Sequence, residues 1–279
     1  MPELPEIETI SRQLNRLIVG KKIKEVKVKL PKIIKMTSVD FKRALEGAKI
    51  KSVDRRAKLL IFELNNGWSM LAHLKMTGQM IYKTTDHRLR TTVENKHTHV
   101  VFFFTDGNRL LFNDLRQFGY LKLVKSAKLQ EYFIEEGFGP EPLVKDFTLP
   151  DFKALLVKKP NARIKQFLMD PENIAGIGNI YSDEILFFSR IHPLRRAASL
   201  KKSEIKKMHS GIKKILADAI KLKGTSAKDY LDAFGQKGKF AQKLRVYGQE
   251  GKKCVKCKDK IIRIKIGGRS AHFCPVCQK

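Results

Sequence analysis

The residues of this chain that are best suited to chemistry stand at its start, in the run Met1-Pro2-Glu3-Leu4-Pro5-Glu6. We expect Met1 to be removed, because the residue after it is small, and this leaves Pro2 with a free ring nitrogen. A terminal amine has an ordinary pKa of about 8, which the positive end of a following helix lowers. Part of such an amine is unprotonated near neutral pH, so Pro2 is a candidate nucleophile.

The sequence predicts a helix directly after this run. Pro5 suits the first helical turn, where its missing N–H is no loss. Apolar residues then recur at helical spacing: Ile7, Ile10, Leu14, Leu17 and Ile18. Such a helix places Glu3 and Glu6 near Pro2. An ordinary helix start with acids matched to the helix dipole explains the same residues, so the opening run alone leaves both interpretations open.

A second group with chemical potential is the set of four cysteines near the C-terminus. Cys254-x2-Cys257 and Cys274-x2-Cys277 are separated by sixteen residues, and the chain has no other cysteine. This spacing indicates a four-thiolate Zn²⁺ site. Two disulfides are the alternative, which the absence of a secretion signal disfavours.

The stretch between the cysteine pairs reads as a β-hairpin. Residues 261–266 have strand character, Gly267-Gly268 provides a turn, and residues 269–273 form the returning strand. Arg269 therefore stands close to the hairpin tip. His272 is a further possible ligand, but four thiolates already complete a tetrahedron, so we expect this histidine on the surface or in the core.

Composition indicates a folded protein with a polyanionic partner. Lysine and arginine number 57 against 28 acidic residues, which gives a net charge of +29, and 42% of the residues are apolar. The basic residues are spread along the chain rather than confined to a tail; an anionic membrane surface remains possible on charge alone. No run approaches the roughly 18 apolar residues of a membrane span, and no signal peptide opens the sequence. We therefore expect a cytosolic protein.

Short runs with strand character dominate residues 22–125, separated by turn signals such as Asp106-Gly107, and they predict a sandwich or a barrel. The predicted strands cover Val26 to Leu30 and residues 59–64, 68–74, 98–104, 109–112 and 120–124. We expect the polar residues 83–97 to form a long exposed loop.

Helical patterns follow a breaker cluster at residues 137–142. An apolar stripe with lysines on the other faces runs from Ile205 to Leu222. Upstream, residues 174–179 predict a tight turn into a helix from Ile180, with Asn179 as the N-cap. The amides of such a turn could hold a phosphate, although plain helix packing explains the pattern equally well.

Seven motifs occur together and in order. They are the opening run, Arg55-Arg56-Ala57-Lys58, His73-Leu74-Lys75-Met76, Arg116-x-Phe118-Gly119, Gly139-Pro140-Glu141-Pro142, Gly176-Ile177-Gly178-Asn179-Ile180-Tyr181 and the four-cysteine finger. With this set the chain resembles the bacterial formamidopyrimidine-DNA glycosylases, also called 8-oxoguanine-DNA glycosylases, over essentially its whole length. Each motif alone is weak, but the ordered set is highly specific.

The resemblance implies an α+β multidomain fold. Its parts are a catalytic β-sandwich with flanking helices (1–135), a linker (136–150), a helix-two-turns-helix domain with a lesion-capping loop (151–245) and a zinc-finger β-hairpin (246–279). Residues 224–243 match the capping loop, which is mobile in relatives. One structural Zn²⁺ is implied, with Cys254, Cys257, Cys274 and Cys277 as its ligands.

The resemblance also implies a reaction. Family members excise oxidised purines, such as 8-oxoguanine and formamidopyrimidines, from damaged duplex DNA and then nick the strand. The amine of Pro2 would attack the sugar C1′ and form an iminium, which permits β- and δ-elimination. Glu3 would be the acid/base and Glu6 would support the site. Lys58 matches the family's catalytic lysine, which contacts the lesion or the phosphate beside it.

DNA contacts follow from the same resemblance. The target nucleotide must be flipped out of the duplex, and Met76, Arg116 and Phe118 would fill the vacated space. Asn179, Lys165 and Arg269 are the expected phosphate contacts. The full predicted DNA-binding set is Met76, Arg116, Phe118, Lys165, Asn179, Lys228, Tyr247 and Arg269.

Two other functions fit parts of the sequence. An endonuclease VIII-like enzyme of the same superfamily would prefer oxidised pyrimidines, but Leu4 and the Arg116-x-Phe118 pair favour the purine enzyme. A non-catalytic zinc-finger protein that binds nucleic acid would explain the charge and the finger, but it needs no free Pro2. Leu115 stands where relatives commonly have proline, which leaves the local loop shape open. We expect a cytoplasmic, nucleoid-associated monomer.

Overall fold

The structure is a computed structural model that describes residues 2–85, 94–226 and 229–279. The chain folds into two compact units. Unit 1 contains Met1–Glu136 and Leu222–Lys239, and unit 2 contains Gly137–Lys221 and Phe240–Lys279. Within the described ranges, no helix is both long and apolar enough to cross a membrane.

Unit 1 is built on two four-stranded antiparallel sheets. Its strands are β1 (Ile23–Val28), β2 (Ile50–Arg56), β3 (Leu59–Leu64), β4 (Trp68–His73), β5 (Gly78–Lys83), β6 (Thr98–Phe104), β7 (Arg109–Asp114) and β8 (Tyr120–Lys125). The strand orders are β1-β6-β7-β5 and β2-β3-β4-β8. Its helices are α1 (Leu4–Ile18), α2 (Ser38–Leu45) and α3 (Leu129–Glu135). The predicted β-sandwich with accompanying helices is confirmed.

Two strands of the sandwich, β2 and β5, were absent from the sequence prediction. Each lies at the edge of its sheet, where a strand pairs with only one neighbouring strand and tolerates charged residues. In β2 only Ile50 and Val53 are buried, and charged residues surround them. The apolar run on which strand prediction depends is therefore missing from this edge.

The core of unit 1 draws residues from both sheets and from α1. Phe62 of β3, Phe102 of β6, Phe112 of β7 and Ile10 of α1 are each at most 1% exposed. Strand residues alternate between the two faces of a sheet. In β5, β6 and β7 the residues between those of the core therefore face the other side of the sheet. There Ile81, Val101 and Leu111 form a second cluster, covered in part by Leu231.

Residues 222–239 belong to unit 1, although they were predicted to be part of the helical domain 151–245. The backbone N–H of Tyr82 in the edge strand β5 donates to the carbonyl of Ala233 at 2.8 Å. Gln13 of α1 accepts from the N–H of Ala233 at 2.9 Å and donates to the buried carboxylate of Asp232 at 2.8 Å. These long-range bonds, which local sequence patterns do not reveal, bind the segment to α1 and β5.

Unit 2 is mainly helical. Its elements are α4 (Leu149–Lys158), α5 (Ile164–Met169), α6 (Asn179–Ser189), α7 (Lys202–Lys221), β9 (Ile262–Ile266) and β10 (Arg269–Phe273). The predicted helix after residue 204 and the predicted hairpin are confirmed. Helix α6 begins at Asn179 with Gly178 as its N-cap, so the predicted N-cap was one residue too late.

The predicted linker 136–150 is an integral part of unit 2. Gly139 donates its N–H to the carbonyl of Pro171 at 2.8 Å, and Ala175 donates to Pro140 at 3.0 Å. A Cβ on Gly139 would lie 2.3 Å from the carbonyl oxygen of Glu172, so only glycine permits this approach. The breaker residues that suggested a linker are there to allow close backbone packing.

The finger shares a core with α6. Both oxygens of the buried Glu184 carboxylate accept from Arg245 N–H at 3.0 Å, and one also accepts from Val246 and Tyr247 at the same distance. Next along the helix, Phe187 packs with Val246, Ile261 and two of the cysteines. The finger is therefore not a separate compact unit, because α6 supplies the apolar surface that a short hairpin lacks.

Replacing Glu184 with alanine is expected to destabilise unit 2 strongly. Three backbone N–H groups would lose their acceptor, at about 1–3 kcal/mol each, so the free energy of unfolding should fall by at least about 3 kcal/mol. Asp218→Ala is the matched control, because Asp218 pairs with Lys214 on the surface of α7 at 3.6 Å and such pairs contribute at most ~1 kcal/mol. Denaturant titration measures both; equal losses would contradict the role of Glu184.

Candidate active site and metal centre

The start of α1 gathers Pro2, Glu3 and Glu6 in a buried position. Glu3 is the N-cap, and Glu3 and Glu6 are 2% and 1% exposed. The Glu6 carboxylate accepts the backbone N–H of Glu3 at 2.8 Å, as part of a capping box that the two acids form. Helix geometry thus places two carboxylates beside Pro2, as the sequence predicted.

Glu6 also binds the segment 222–239. Its second oxygen accepts the N–H of Thr225 at 2.7 Å, and the hydroxyl of Tyr230 donates to the Glu6 carbonyl at 3.5 Å. Gly224 has a φ of +79°, and a Cβ there would lie 2.7 Å from the Glu6 carboxylate. Burial raises the pKa of Tyr230 well above its ordinary value, so this hydroxyl keeps its proton. Part of the predicted capping loop is therefore fixed to the same helical turn as Pro2.

Lys58 lies at one end of the second sheet, in the β2–β3 turn, where Ala57 adopts a φ of +53°. The next residue, Leu59, pairs with His73 of β4. Arg55 of the same motif binds Glu8 of α1 at 2.5 Å and so fastens β2 to α1. The motif therefore combines a structural arginine with a lysine beside His73.

His73 is a neutral hydrogen-bond donor among cations. Its Nδ1 accepts the N–H of Lys75 at 2.9 Å, which leaves the proton on Nε2. Burial, together with the charges of Lys75 and Lys58, lowers the pKa of His73 to about 3. A neutral donor flanked by two lysines suits an anion. His73 was not among the predicted site residues, although the motif that contains it and its position at the end of an apolar strand were visible in the sequence.

The turns that carry Met76, Arg116 and Phe118 are joined through one buried acid. Asp114 accepts the hydroxyl of Thr77 and, at 3.1 Å, the backbone N–H of Arg116. The guanidinium of Arg116 lies 4.7 Å from the ring centroid of Phe118, and Phe118 is 56% exposed. The structure therefore brings the three predicted residues onto adjacent turns, with an aromatic ring left in solvent. Asp114 thereby fixes the loop that contains Leu115, whose shape the sequence had left open.

In unit 2, the predicted DNA-contacting residues lie on α6 and the finger. Asn179 opens α6, and its side-chain oxygen is buried with no hydrogen-bond partner among the described residues. Arg269 is exposed at the start of β10. Tyr247 is half-buried, with its ring 5.0 Å from that of His272. Lys228 lies outside the described residues.

Lys165 is not a phosphate contact, and that prediction is wrong. The side chain is only 1% exposed. Its Nζ lies 2.5 Å from a carboxylate oxygen of Asp183 and 3.2 Å from the hydroxyl of Ser182. A buried lysine whose charge is matched by a buried aspartate has no access to a DNA backbone.

The four cysteines form a cluster with the geometry of a zinc site. Their Sγ atoms all lie within 4.8 Å of one another. Cys254 and Cys277 are 3.9 Å apart, and Cys257 and Cys274 are 3.3 Å apart, far beyond the ~2.05 Å of a disulfide bond. A tetrahedral Zn²⁺ with bonds of about 2.3 Å requires sulfurs about 3.8 Å apart. The four thiolates therefore fit one structural Zn²⁺, whose role is to hold the two Cys-x2-Cys turns together.

Comparisons with known proteins agree with this geometry along the chain. Residues 1–121 match the formamidopyrimidine-DNA glycosylase N-terminal domain, residues 138–230 match the H2TH domain of the same enzymes, and residues 251–279 match a zinc finger found in FPG and IleRS. The formamidopyrimidine-DNA glycosylase of Heliobacterium modesticaldum is 42% identical over 280 residues, with 100% of each chain covered. That of Streptococcus mutans is 40% identical over 279 residues, also with full coverage.

Solved structures of relatives give the same result. Lactococcus lactis Fpg in complex with DNA that contains N7-benzyl-Fapy-dG is 38% identical, with a TM-score of 0.91 and 100% of both chains covered. The same enzyme with DNA that contains an abasic site has a TM-score of 0.91 at 38% identity, and 99% of each chain is covered.

The protonation of His73 can be tested directly. We expect NMR to show a neutral imidazole down to about pH 4, because its pKa is about 3 instead of the usual 6.5. Lys75→Gln removes one neighbouring charge and should raise the pKa of His73. Lys35→Gln is the control. The Nζ atoms of Lys35 and Lys75 each lie 5.7 Å from the Tyr120 ring centroid, but only Lys75 also bonds to His73, through its backbone N–H.

The protonation of His73 also affects the stability of the folded state. Between pH 6.5 and about 3 the unfolded chain binds a proton at His73 that the folded chain does not. This residue therefore makes the folded state less stable as pH falls through that window. A native His73 that titrates near 6.5 would contradict the proposed environment.

Proposed function

Because the chain belongs to the formamidopyrimidine-DNA glycosylase family, we propose that it excises oxidised purines from duplex DNA through the imino terminus of Pro2 and then cleaves the strand. It is a DNA glycosylase of base excision repair with one zinc finger. The observation that carries the assignment of the nucleophile is the buried turn that places Pro2 beside Glu3 and Glu6. The Fapy-dG and abasic-site complexes of the Lactococcus relative support oxidised purines and abasic DNA as substrates.

Pro2 is the group proposed to carry the covalent step. With Met1 removed, its ring nitrogen attacks C1′ of the damaged nucleotide, and the base departs. The adduct of a secondary amine with the opened sugar is an iminium, which is positively charged without needing an extra proton. This electron sink acidifies the C2′ proton, so the 3′ phosphate leaves by β-elimination and the 5′ phosphate by δ-elimination.

The two carboxylates are proposed to have different roles, Glu6 in positioning and Glu3 in proton transfer. Both oxygens of Glu6 accept backbone N–H groups, from Glu3 and from Thr225, so Glu6 is proposed to position the turn and the segment 222–239. Proton transfer to the opening ribose then falls to Glu3, a role that in enzymes contributes typically 10²–10⁴-fold.

Unit 1 also supplies groups for the DNA backbone and for the gap left by a flipped base. Lys58 and the Nε2–H of His73 are proposed to bind a phosphate, because they combine a positive charge with a neutral donor at one end of the sheet. Met76 and Phe118 are proposed to wedge into the base stack, and Arg116 to hydrogen-bond the orphaned base. The exposed ring of Phe118 supports this role.

Unit 2 is proposed to bind phosphates through Asn179, Arg269 and Tyr247. The first turn of α6 offers backbone N–H groups to an anion, and Asn179 adds a side-chain amide. Zn²⁺ would supply the folding energy of the finger that carries Arg269. Lys228 is proposed as a further contact within the capping loop. With a net charge of +29, we propose that the protein acts as a monomer associated with the nucleoid.

Borohydride should trap a covalent protein–DNA adduct, because an iminium is reducible. We expect more adduct from duplexes with 8-oxoguanine or formamidopyrimidine than from one with thymine glycol, and peptide mapping should place it on Pro2. An extra residue ahead of Pro2 is the control and should abolish trapping. An adduct on Lys58 would refute the assignment of the nucleophile, and a preference for thymine glycol would refute the substrate class.

Glu3→Gln should separate two reactions that share one intermediate. Base excision requires proton transfer during opening of the ribose and should fall by roughly 10²–10⁴-fold. A pre-formed abasic site already equilibrates with its aldehyde, so cleavage there should largely survive. Single-turnover rates on both substrates isolate the chemistry from product release.

Glu6→Gln provides the matched comparison. Its amide cannot accept from both Glu3 and Thr225, so the turn beside Pro2 should loosen and both reactions should slow together. If Glu3→Gln instead slowed both reactions by the same factor, the proposed role of Glu3 would be wrong.

A further inference from the structure

A buried charged network in unit 2 has no part in the chemistry described above. Lys165 of α5, Asp183 of α6 and His272 of β10 are 1%, 1% and 8% exposed. They come from three elements that are far apart in sequence, and they meet at one carboxylate. A buried ion pair is weak evidence of stabilisation, because desolvation cancels much of the attraction. The network is more informative about how α5, α6 and β10 are positioned relative to one another.

Asp183 uses its two oxygens for different elements. One oxygen receives Lys165 Nζ at 2.5 Å. The other lies 2.9 Å from the backbone nitrogen of His272 and 3.0 Å from its Nδ1. An ionised carboxylate only accepts hydrogen bonds, so Nδ1 of His272 carries a proton and donates it. Two donors from one residue fix both the position and the orientation of β10 against α6.

The network reaches two of the proposed phosphate contacts of unit 2, Asn179 and Arg269. Lys165 Nζ also bonds to the hydroxyl of Ser182 at 3.2 Å, and that hydroxyl donates to the carbonyl of Asn179 at 3.2 Å. At the other end, His272 follows Arg269 by three residues in the short strand β10. A continuous chain of hydrogen bonds and one strand thus connect the first turn of α6 with the hairpin tip.

The hairpin tip is also fitted against α5. Gly267, at the turn beside Arg269, has a φ of +53°, and a Cβ there would lie 2.4 Å from the side-chain nitrogen of Gln166. Gln166 directly follows Lys165 in the sequence. Helix α5 therefore lies against the hairpin turn through Gln166 and is linked to β10 indirectly, through Lys165 and Asp183.

We propose that Asp183 is a positioning residue that sets the spacing between Asn179 and Arg269, so that both can contact one DNA backbone. The inference rests on the proposed phosphate contacts of these two residues. A hairpin held at one geometry before DNA arrives loses less conformational freedom on binding. The role also explains why Lys165 is buried: it keeps the charge of Asp183 matched while touching the first turn of α6.

His272 allows the proposal to be tested with all zinc ligands intact. His272→Phe keeps a ring against Tyr247 but removes the side-chain donor to Asp183. His272→Asn removes the ring but keeps an N–H donor at a similar position. Ser270→Ala is the control, because Ser270 bonds only to Arg263 of the neighbouring strand among the contacts described and does not touch the network. Arg269→Ala gives the full effect of losing the phosphate contact.

The measurement is the salt dependence of binding to a duplex with a tetrahydrofuran abasic analogue, together with zinc content and melting temperature. Losing one phosphate contact lowers the slope of log K against log salt by about 0.9. We expect this loss for Arg269→Ala and a partial loss in the same direction for His272→Phe. His272→Asn and Ser270→Ala should match the unmodified protein. In the Arg269→Ala background, His272→Phe should have no further effect.

The results distinguish failure of the proposed phosphate contact of Arg269 from failure of the positioning role of Asp183. An unchanged slope in Arg269→Ala would refute the proposed phosphate contact itself and, with it, any action through Arg269. A normal loss in Arg269→Ala with His272→Phe equal to Ser270→Ala would overturn the positioning role alone. An additional loss from His272→Phe in the Arg269→Ala background would also overturn it, because the effect would not pass through Arg269. If His272→Phe loses zinc, His272→Ala, which leaves room for water to hydrate Asp183, replaces it with the same expected results.

Discussion

The carboxylate of Glu6 accepts one backbone N–H on each oxygen, from Glu3 at the start of α1 and from Thr225 in the segment 222–239. Because this carboxylate is buried, each N–H compensates for lost hydration, and removing either leaves a charge poorly solvated. The position of Pro2 and the path of the segment therefore depend on one side chain. Gly224 follows from the same constraint, since any side chain there would collide with Glu6.

Buried acids hold other functional turns in the same way. Asp114 fixes the loop of Arg116 and Phe118, and Glu184 fixes the entry to the finger through Arg245, Val246 and Tyr247. In a chain with 28 acids and 57 basic residues, acids placed inside cannot neutralise the surface. The lysines and arginines then dominate the exterior, which favours fast, salt-sensitive encounter with a polyanion. The burial of these acids therefore leaves the exterior more basic, whereas the net charge of +29 itself is set by composition.

Prediction from sequence succeeded where local pattern determines structure and failed where partners are distant. Helix α1, helix α7 and the finger hairpin carry periodic or cysteine patterns within a few residues, and the structure contains them. Lys165 was misassigned because nothing near it in sequence shows that Asp183 neutralises it. The packing of the segment 222–239 with unit 1 was not predicted for the same reason, since Gln13 binds it from more than 200 residues away. His73 was missed because its neutral state depends first on burial and then on the charges of Lys75 and Lys58, and Lys58 comes near it only through the pairing of β3 with β4.

The two acids of the opening turn show how position decides between structure and chemistry. Glu6, at the third position of α1, folds back to the N–H of Glu3 and accepts one backbone N–H on each oxygen. Protonation of Glu6 during turnover would remove an acceptor from one of these N–H groups, so proton transfer through it would disturb the turn that holds Pro2. Glu3 precedes the helix as its N-cap and lies buried next to Pro2 in the chain. A reaction that needs both a mobile proton and a fixed nucleophile is therefore better served by two carboxylates one turn apart than by one.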